Sequence, residues 1–174
     1  MIYRHRKKVK DIKEYIKPYN PKTDDQDIQR DYLKNAVLAW KTDGYSDLDI
    51  EAWKLYASLQ KKNLSGYNMF IREKINAEKD GKRWTKLTNC IIMSIETNYC
   101  FIRMKVTSDQ LGILYIGTSK YSMLKEYEMN FMLPEYWCDI EDLTKDTKYY
   151  FYIANTAVGE AARTGIYTFK TLKD

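Results

Sequence analysis

The chain has 174 residues, 44% hydrophobic and 14% aromatic, which is enough apolar material for one large domain or two small ones. Charged residues make up 30%, as in soluble globular proteins, and no apolar run approaches the roughly 18–20 residues of a membrane helix, so a membrane partner is not expected. The formal charge of +5 is unevenly placed: residues 1–22 carry eight Lys or Arg against Asp11 and Glu14, a balance of +6, and the other 152 residues carry −1.

Residues 1–22 therefore read as a basic extended arm, with Arg4, Arg6, Lys7, Lys8, Lys10, Lys13 and Lys17 as its candidate partner-binding cations. Pro18 and Pro21 stop a helix there and favour an extended backbone. The start is basic but lacks a following apolar segment, so no signal peptide is expected.

Residues 23–82 read as a three-helix module. Thr23-Asp-Asp-Gln26 has the form of a capping box, and Asp24, Asp25 and Asp27 suit the positive end of a helix dipole. Ile28, Leu33, Ala36, Val37 and Trp40 follow at helical spacing until Asp43-Gly44. Ser46 opens a second helix with Asp47, Asp49 and Glu51 in its first turn and Trp53, Tyr56 and Ala57 on its buried stripe. Ser65 caps a third, whose inward residues are Tyr67, Phe70, Ile71 and Ile75. Short connections force the three to pack together, with Trp40, Trp53, Tyr67 and Phe70 as the expected mini-core.

Two resemblances arise in this half. Tyr19-Asn-Pro-Lys-Thr23, Ala36-Val-Leu-Ala-Trp40, Asp49-Ile-Glu-Ala-Trp53 and Leu64-Ser-Gly-Tyr-Asn-Met-Phe70 resemble a small helical module found in proteins of tailed bacteriophages and related prophage regions. The spaced tryptophans and a short helix opened by Ser46-Asp47 are similar, more loosely, to HMG boxes, but residues 23–79 lack the dense lysine face of an architectural DNA binder.

Residues 83–174 change to strand periodicity. Strands are expected over 90–95, 99–106, 111–116, 127–132, 137–140, 149–154 and 166–171, with Trp137 in the core. Seven short strands in about 90 residues with regular turns predict an immunoglobulin-like sandwich, so the fold class is α+β. Leu143, Tyr149, Phe151 and Ile153 are spaced by twos, with Lys148, Tyr150 and Tyr152 between them on the opposite face. A leucine, a turn, and Tyr149 two residues past Thr147 suit a tyrosine corner, whose hydroxyl reaches back to upstream backbone. This stretch resembles the last strands of a fibronectin type III domain, with Lys145 where such corners usually carry proline, which predicts a looser corner.

Catalytic signals are sparse. The one histidine, His5, lies in the arm, the seven glycines form no phosphate-binding loop, and Glu141-Asp142 and Asp24-Asp25 diverge as adjacent residues. Cys90, Cys100 and Cys138 have no metal-ligand spacing and an odd count, so they read as buried free thiols in a reducing compartment. No enzyme activity, metal or cofactor is expected. Tyr99, Tyr115, Tyr121, Tyr149, Tyr150 and Tyr152, with Met69, Met93, Met104, Met123, Met129 and Met132, instead suggest a protein contact face. The phage resemblance implies a virion neck, ring or tail-associated structural protein, assembled in the host cytoplasm. Its partners would be portal, adaptor, tail or capsid proteins and further copies of itself. A nucleic-acid-binding protein using the basic arm and the helices is the second reading, and a carbohydrate- or receptor-binding sandwich the third.

Overall fold

A computed structural model describes residues 23–107, 112–155 and 157–173, together with the backbone of 2–6 and 9–13. Two compact units divide the chain, residues 1–30 and residues 31–174. In the first, β1 (Ile2–Arg6) and β2 (Val9–Lys13) pair antiparallel, so those parts of the expected arm form a hairpin. Pro18 and Pro21 lie outside the described residues.

Three helices follow: α1 (Asp24–Thr42), α2 (Asp47–Ser58) and α3 (Gly66–Lys79). The starts of α2 and α3 are set by the expected caps, since the Ser46 and Ser65 hydroxyls accept from the amides of Asp49 and Asn68. Trp53, Met69 and Phe70 are fully buried in the helical core, with Trp40 half-buried beside them and Tyr67 left on an exposed rim. Met69 takes the inward place that the spacing assigned to Tyr67.

The remainder is a two-sheet sandwich. Its strands are β3 (Arg83–Trp84), β4 (Leu87–Met93), β5 (Cys100–Val106), β6 (Gly112–Gly117), β7 (Lys125–Glu128), β8 (Asn130–Met132), β9 (Glu135–Ile140), β10 (Lys148–Asn155), β11 (Glu160–Arg163) and β12 (Tyr167–Lys170). One sheet runs β4-β5-β9-β8 and the other β3-β11-β10-β6-β7, with β12 also paired to β10. Apart from the short β3 and β8, the strand orders, first-second-fifth in one sheet and fourth-third-sixth-last in the other, are the immunoglobulin-like arrangement of fibronectin type III domains. The expected single strand over 127–132 is divided: the chain leaves one sheet after Glu128, buries Met129 in the crossing, and enters the other at Asn130.

The core alternates as the period-two reading requires. Tyr149, Phe151 and Ile153 face inward, the first two stacked on Phe169 and Tyr167 respectively, and Leu143 is buried with them. The tyrosine corner is closed: the Thr144 amide donates to the Tyr149 hydroxyl at 2.8 Å. Trp137 is a correction. Tyr136, Cys138 and Ile140 are the buried residues of β9, so Trp137 falls on the outer face, half-buried. The strand begins two residues earlier than composition suggested, and in a period-two element the neighbours of an inward residue point outward.

α2, α3 and the sandwich share the unit of residues 31–174, and a buried carboxylate joins α2 to the strands. Asp49 Oδ2 accepts from the Ser46 amide and hydroxyl and from the Asn89 amide, while Oδ1 accepts from the Cys90 amide and the Tyr167 hydroxyl. Asn89 sits at a β-bulge in β4 with φ 54°, where the ladder leaves its amide without a strand partner. Burial first, and then the neighbouring Cys90 and Asp49, push the Tyr167 hydroxyl well above its ordinary range, so it stays a donor.

Asp49→Asn places an amide N–H₂ among donors and is expected to lower the unfolding free energy by about 3 kcal/mol in urea titrations. Tyr99→Phe, which removes a bond to Asp139 at the surface, is the control and should change it by about 0.5 kcal/mol or less.

Candidate interaction site

Of the predicted arm cations, Arg4 and Arg6 lie in β1 and Lys10 and Lys13 in β2; Lys7, Lys8 and Lys17 lie outside the described residues. The hairpin register sets Arg4 opposite Asp11, His5 opposite Lys10, and Ile2 opposite Lys13. Four of the seven cations are thus brought onto one two-stranded ribbon.

The predicted aromatic and methionine face is only partly a surface. Tyr149, Met69, Met104 and Met129 are buried, because each occupies an inward position of its strand, helix or crossing. Tyr115 and Tyr152 do lie on the outer face of the β10–β6 sheet, directly opposite each other across the pair and stacked at 4.8 Å. Over Tyr152 lies the guanidinium of Arg163, 4.3 Å from the ring centroid, and the same guanidinium lies 3.9 Å from the ring centroid of Tyr56 on α2. Tyr115, Tyr152, Arg163 and Tyr56 therefore form one continuous column.

Local sequence explains each position. Asp49, Ala52, Trp53 and Tyr56 lie at helical spacing on the face of α2 that meets the sheet. Arg163 follows the inward Ala162 on β11 and so points outward, across from Ala154. Burial pushes the Tyr56 hydroxyl up, the Arg163 charge opposes this, and Glu73, which accepts from that hydroxyl, adds to the rise. Arg163 itself carried no signal in the sequence; only the pairing of β11 with β10 reveals where it points.

Beside this column lies a groove of about 420 Å³ between the end of α2 and the β6–β7 connection. Its walls include Leu59, Lys120, Tyr121 and Leu124, the last two 74% and 83% exposed. No Asp or Glu lines it.

A second surface is the outer face of the β4-β5-β9-β8 sheet. Ile91 pairs across to Arg103 and on to Trp137, and Met93 to Phe101 and on to Asp139. Met132 at the far edge is 71% exposed, and Leu133 beside it 62%. Each alternates with inward residues such as Ile102 and Cys138, so the pleat holds these side chains outward.

Elsewhere the chemistry is subdued. The three cysteines are free and buried. Burial pushes the Cys100 thiol up to about 12 and the Cys138 thiol to about 11, so neither is a thiolate near neutrality. Glu141 and Asp142 are exposed turn residues, with Asp142 at φ 58°. Among the described residues no three His, Cys, Asp or Glu converge as a metal site, and no helix is long and apolar enough to cross a membrane.

No family model matches this chain, and no curated protein matches it. Solved structures similar to its sandwich half include a myokine structure at 18% identity and TM-score 0.42, covering 49% of this chain and 95% of that one. The FN5 domain of Drosophila Lar is similar at 14% identity and TM-score 0.40, covering 49% and 94%. The sensor domain of the anti-sigma factor RsgI4 of Pseudobacteroides cellulosolvens is similar at 22% identity and TM-score 0.39, covering 51% and 87%. The strand pairing described above, not these likenesses, carries the fold assignment.

At pH 8 a thiol reagent such as dithionitrobenzoate should label none of the three cysteines in the native protein and all three in denaturant. Because the folded thiol values lie above the unfolded value of about 8.5, their contribution to stability is complete below that pH. It is lost as pH rises towards 11 and 12, which urea titrations across the alkaline range would detect.

Proposed function

We propose that this protein is a structural or adaptor component of a tailed-phage particle, at its neck, ring or tail, working through protein–protein contacts and not by turnover. The observation that carries the reading is the outer face of the β4-β5-β9-β8 sheet, where Ile91, Met93, Phe101, Trp137 and Met132 stand outward among Arg103, Lys105, Glu135 and Asp139. Met and aromatic side chains set among charged ones are the composition of an association surface, with apolar anchors and a polar surround.

The phage context is supported by the Asn-Pro-Lys-Thr and Ser-Gly-Tyr-Asn-Met-Phe pattern of residues 20–70, and by its linkage to a fibronectin-like half. On this reading the partners are portal, adaptor, tail or capsid proteins, with copies of the chain joined head to tail in a closed ring. The place of action is the virion, assembled in the host cytoplasm.

Native mass spectrometry of the full chain, alone and with proteins of the particle, tests this. Species above the 20.8 kDa monomer are expected. Trp137→Glu should weaken their association by about tenfold or more, as truncating an interface anchor does. A monomer at every concentration that also recovers no particle protein refutes the proposal.

A second reading, nucleic-acid binding, is favoured by one observation: pairing of β1 and β2 gathers Arg4, Arg6, Lys10 and Lys13 on a single ribbon. A two-stranded ribbon fits a major groove. Duplex affinity should then fall with salt at a log–log slope of about −3 to −4 for four phosphate contacts. Absence of binding at low salt eliminates it.

A further inference from the structure

We infer that the groove between the end of α2 and the β6–β7 connection binds a carboxylate-bearing peptide segment of a protein partner, with Arg163 as its anchor. The inference rests on the protein–protein reading above and gives it a chemically specific contact.

The guanidinium of Arg163 lies against two aromatic rings from different elements, 3.9 Å from the Tyr56 centroid and 4.3 Å from the Tyr152 centroid. Its N–H donors lie in the plane of the group. Nε is buried and has no acceptor. Arg83 and Arg103 each reach a carboxylate, Glu160 and Glu135, whereas Arg163 has none within ion-pair distance among the described residues. Buried donors are ordinarily satisfied, so a guanidinium whose Nε is closed off without an acceptor depends on its remaining N–H donors, which it can offer to an acceptor in the groove that Arg163 lines.

The groove specifies what that acceptor is attached to. Lys120 adds a second cation, and no carboxylate on the walls opposes an anionic occupant. Tyr121 and Leu124 stand exposed at the mouth, ready to pack against an apolar side chain next to the anion. A volume of about 420 Å³ fits one or two side chains. A planar carboxylate can meet the edge of the guanidinium with two parallel hydrogen bonds, a geometry that a stacked arginine preserves. Two cations are too few to track a phosphodiester backbone, which needs a row of them. Glu73, on the other flank of the column, accepts from Tyr56 and would repel a long polyanion. An Asp or Glu beside an apolar residue fits both constraints.

The test uses isotope-labelled full-length protein and four probes. They are acetyl-Asp-Leu-Asp-Phe-amide, its neutral counterpart acetyl-Asn-Leu-Asn-Phe-amide, sodium glucuronate and inorganic phosphate. The acidic peptide should shift the Tyr56 and Tyr152 ring resonances and the Arg163 Nε–H, and the neutral peptide should bind about tenfold or more weakly. Arg163→Gln should weaken the acidic peptide by about tenfold. Lys120→Glu, on the connection and outside the column, should weaken it several-fold with an unchanged melting temperature. Equal binding of the neutral peptide overturns the inference. So does glucuronate or phosphate binding at these residues as tightly as the peptide, or an absence of shifts at about 10 mM peptide, where even millimolar affinity would be visible. The wild-type chain separates the two ideas. Peptide shifts in a wild-type chain that stays monomeric and recovers no particle protein sink the assembly reading alone, and assembly without peptide shifts sinks this one alone.

Discussion

Much of the larger unit depends on one buried carboxylate. Asp49 is 0% exposed, and its two oxygens are shared among a helix cap, a strand bulge and a core tyrosine. Removing an anion from water is unfavourable unless donors surround it, and here five do. Four of those donors would lose their acceptor without it: the Ser46 amide at the start of α2, the two amides at the β4 bulge, and the Tyr167 hydroxyl. The carboxylate thereby fixes where α2 begins and how it meets both sheets.

From that fixed first turn the rest of α2 is in register with the sandwich. One turn on, the Ala52 carbonyl accepts from the Ile166 amide, at the place where the last strand is split between β11 and β12. Gly165 lies in that split, and a Cβ there would stand 2.2 Å from the Ala52 carbonyl carbon, so helix and strand backbones touch because a side chain is absent. Thr164 repairs the interrupted ladder: its amide donates to Ile153 and its hydroxyl accepts from the Ile153 amide. One further turn along α2 brings Tyr56 over Arg163. The stacked arginine and the groove beside it thus follow from the Asp49 contact by helix geometry.

Two surfaces of different chemistry result. The outer face of the β4-β5-β9-β8 sheet is broad and mixes Met and aromatic side chains with Arg103, Lys105, Glu135 and Asp139. The groove at Arg163 is small, cationic and rigid, suited to choosing one partner group. Area on one face with a charged anchor on another is a division that assembly proteins can use, because the first supplies stability and the second register.

A great deal of this was legible beforehand. Caps, acidic first turns and helical spacing located all three helices, because those signals are local interactions within one turn. Alternation located the principal strands, and Leu143-to-Tyr149 spacing the corner, which closes despite Lys145 in the usual proline position. Side-chain partners across elements were not legible. Asp49 read only as a first-turn acid, Trp137 was assigned inward until pairing set the phase of β9, and Glu160-Ala-Ala-Arg163 has the composition of a helix yet forms β11 between β10 and β3. The sequence determined which segments are helices, most of the strands and the packing of the last two strands, because periodicity is carried by the chain itself. Only the tertiary structure decided which side chains meet and which cations find no carboxylate, since those depend on register and on contacts between residues as far apart as Asp49 and Tyr167.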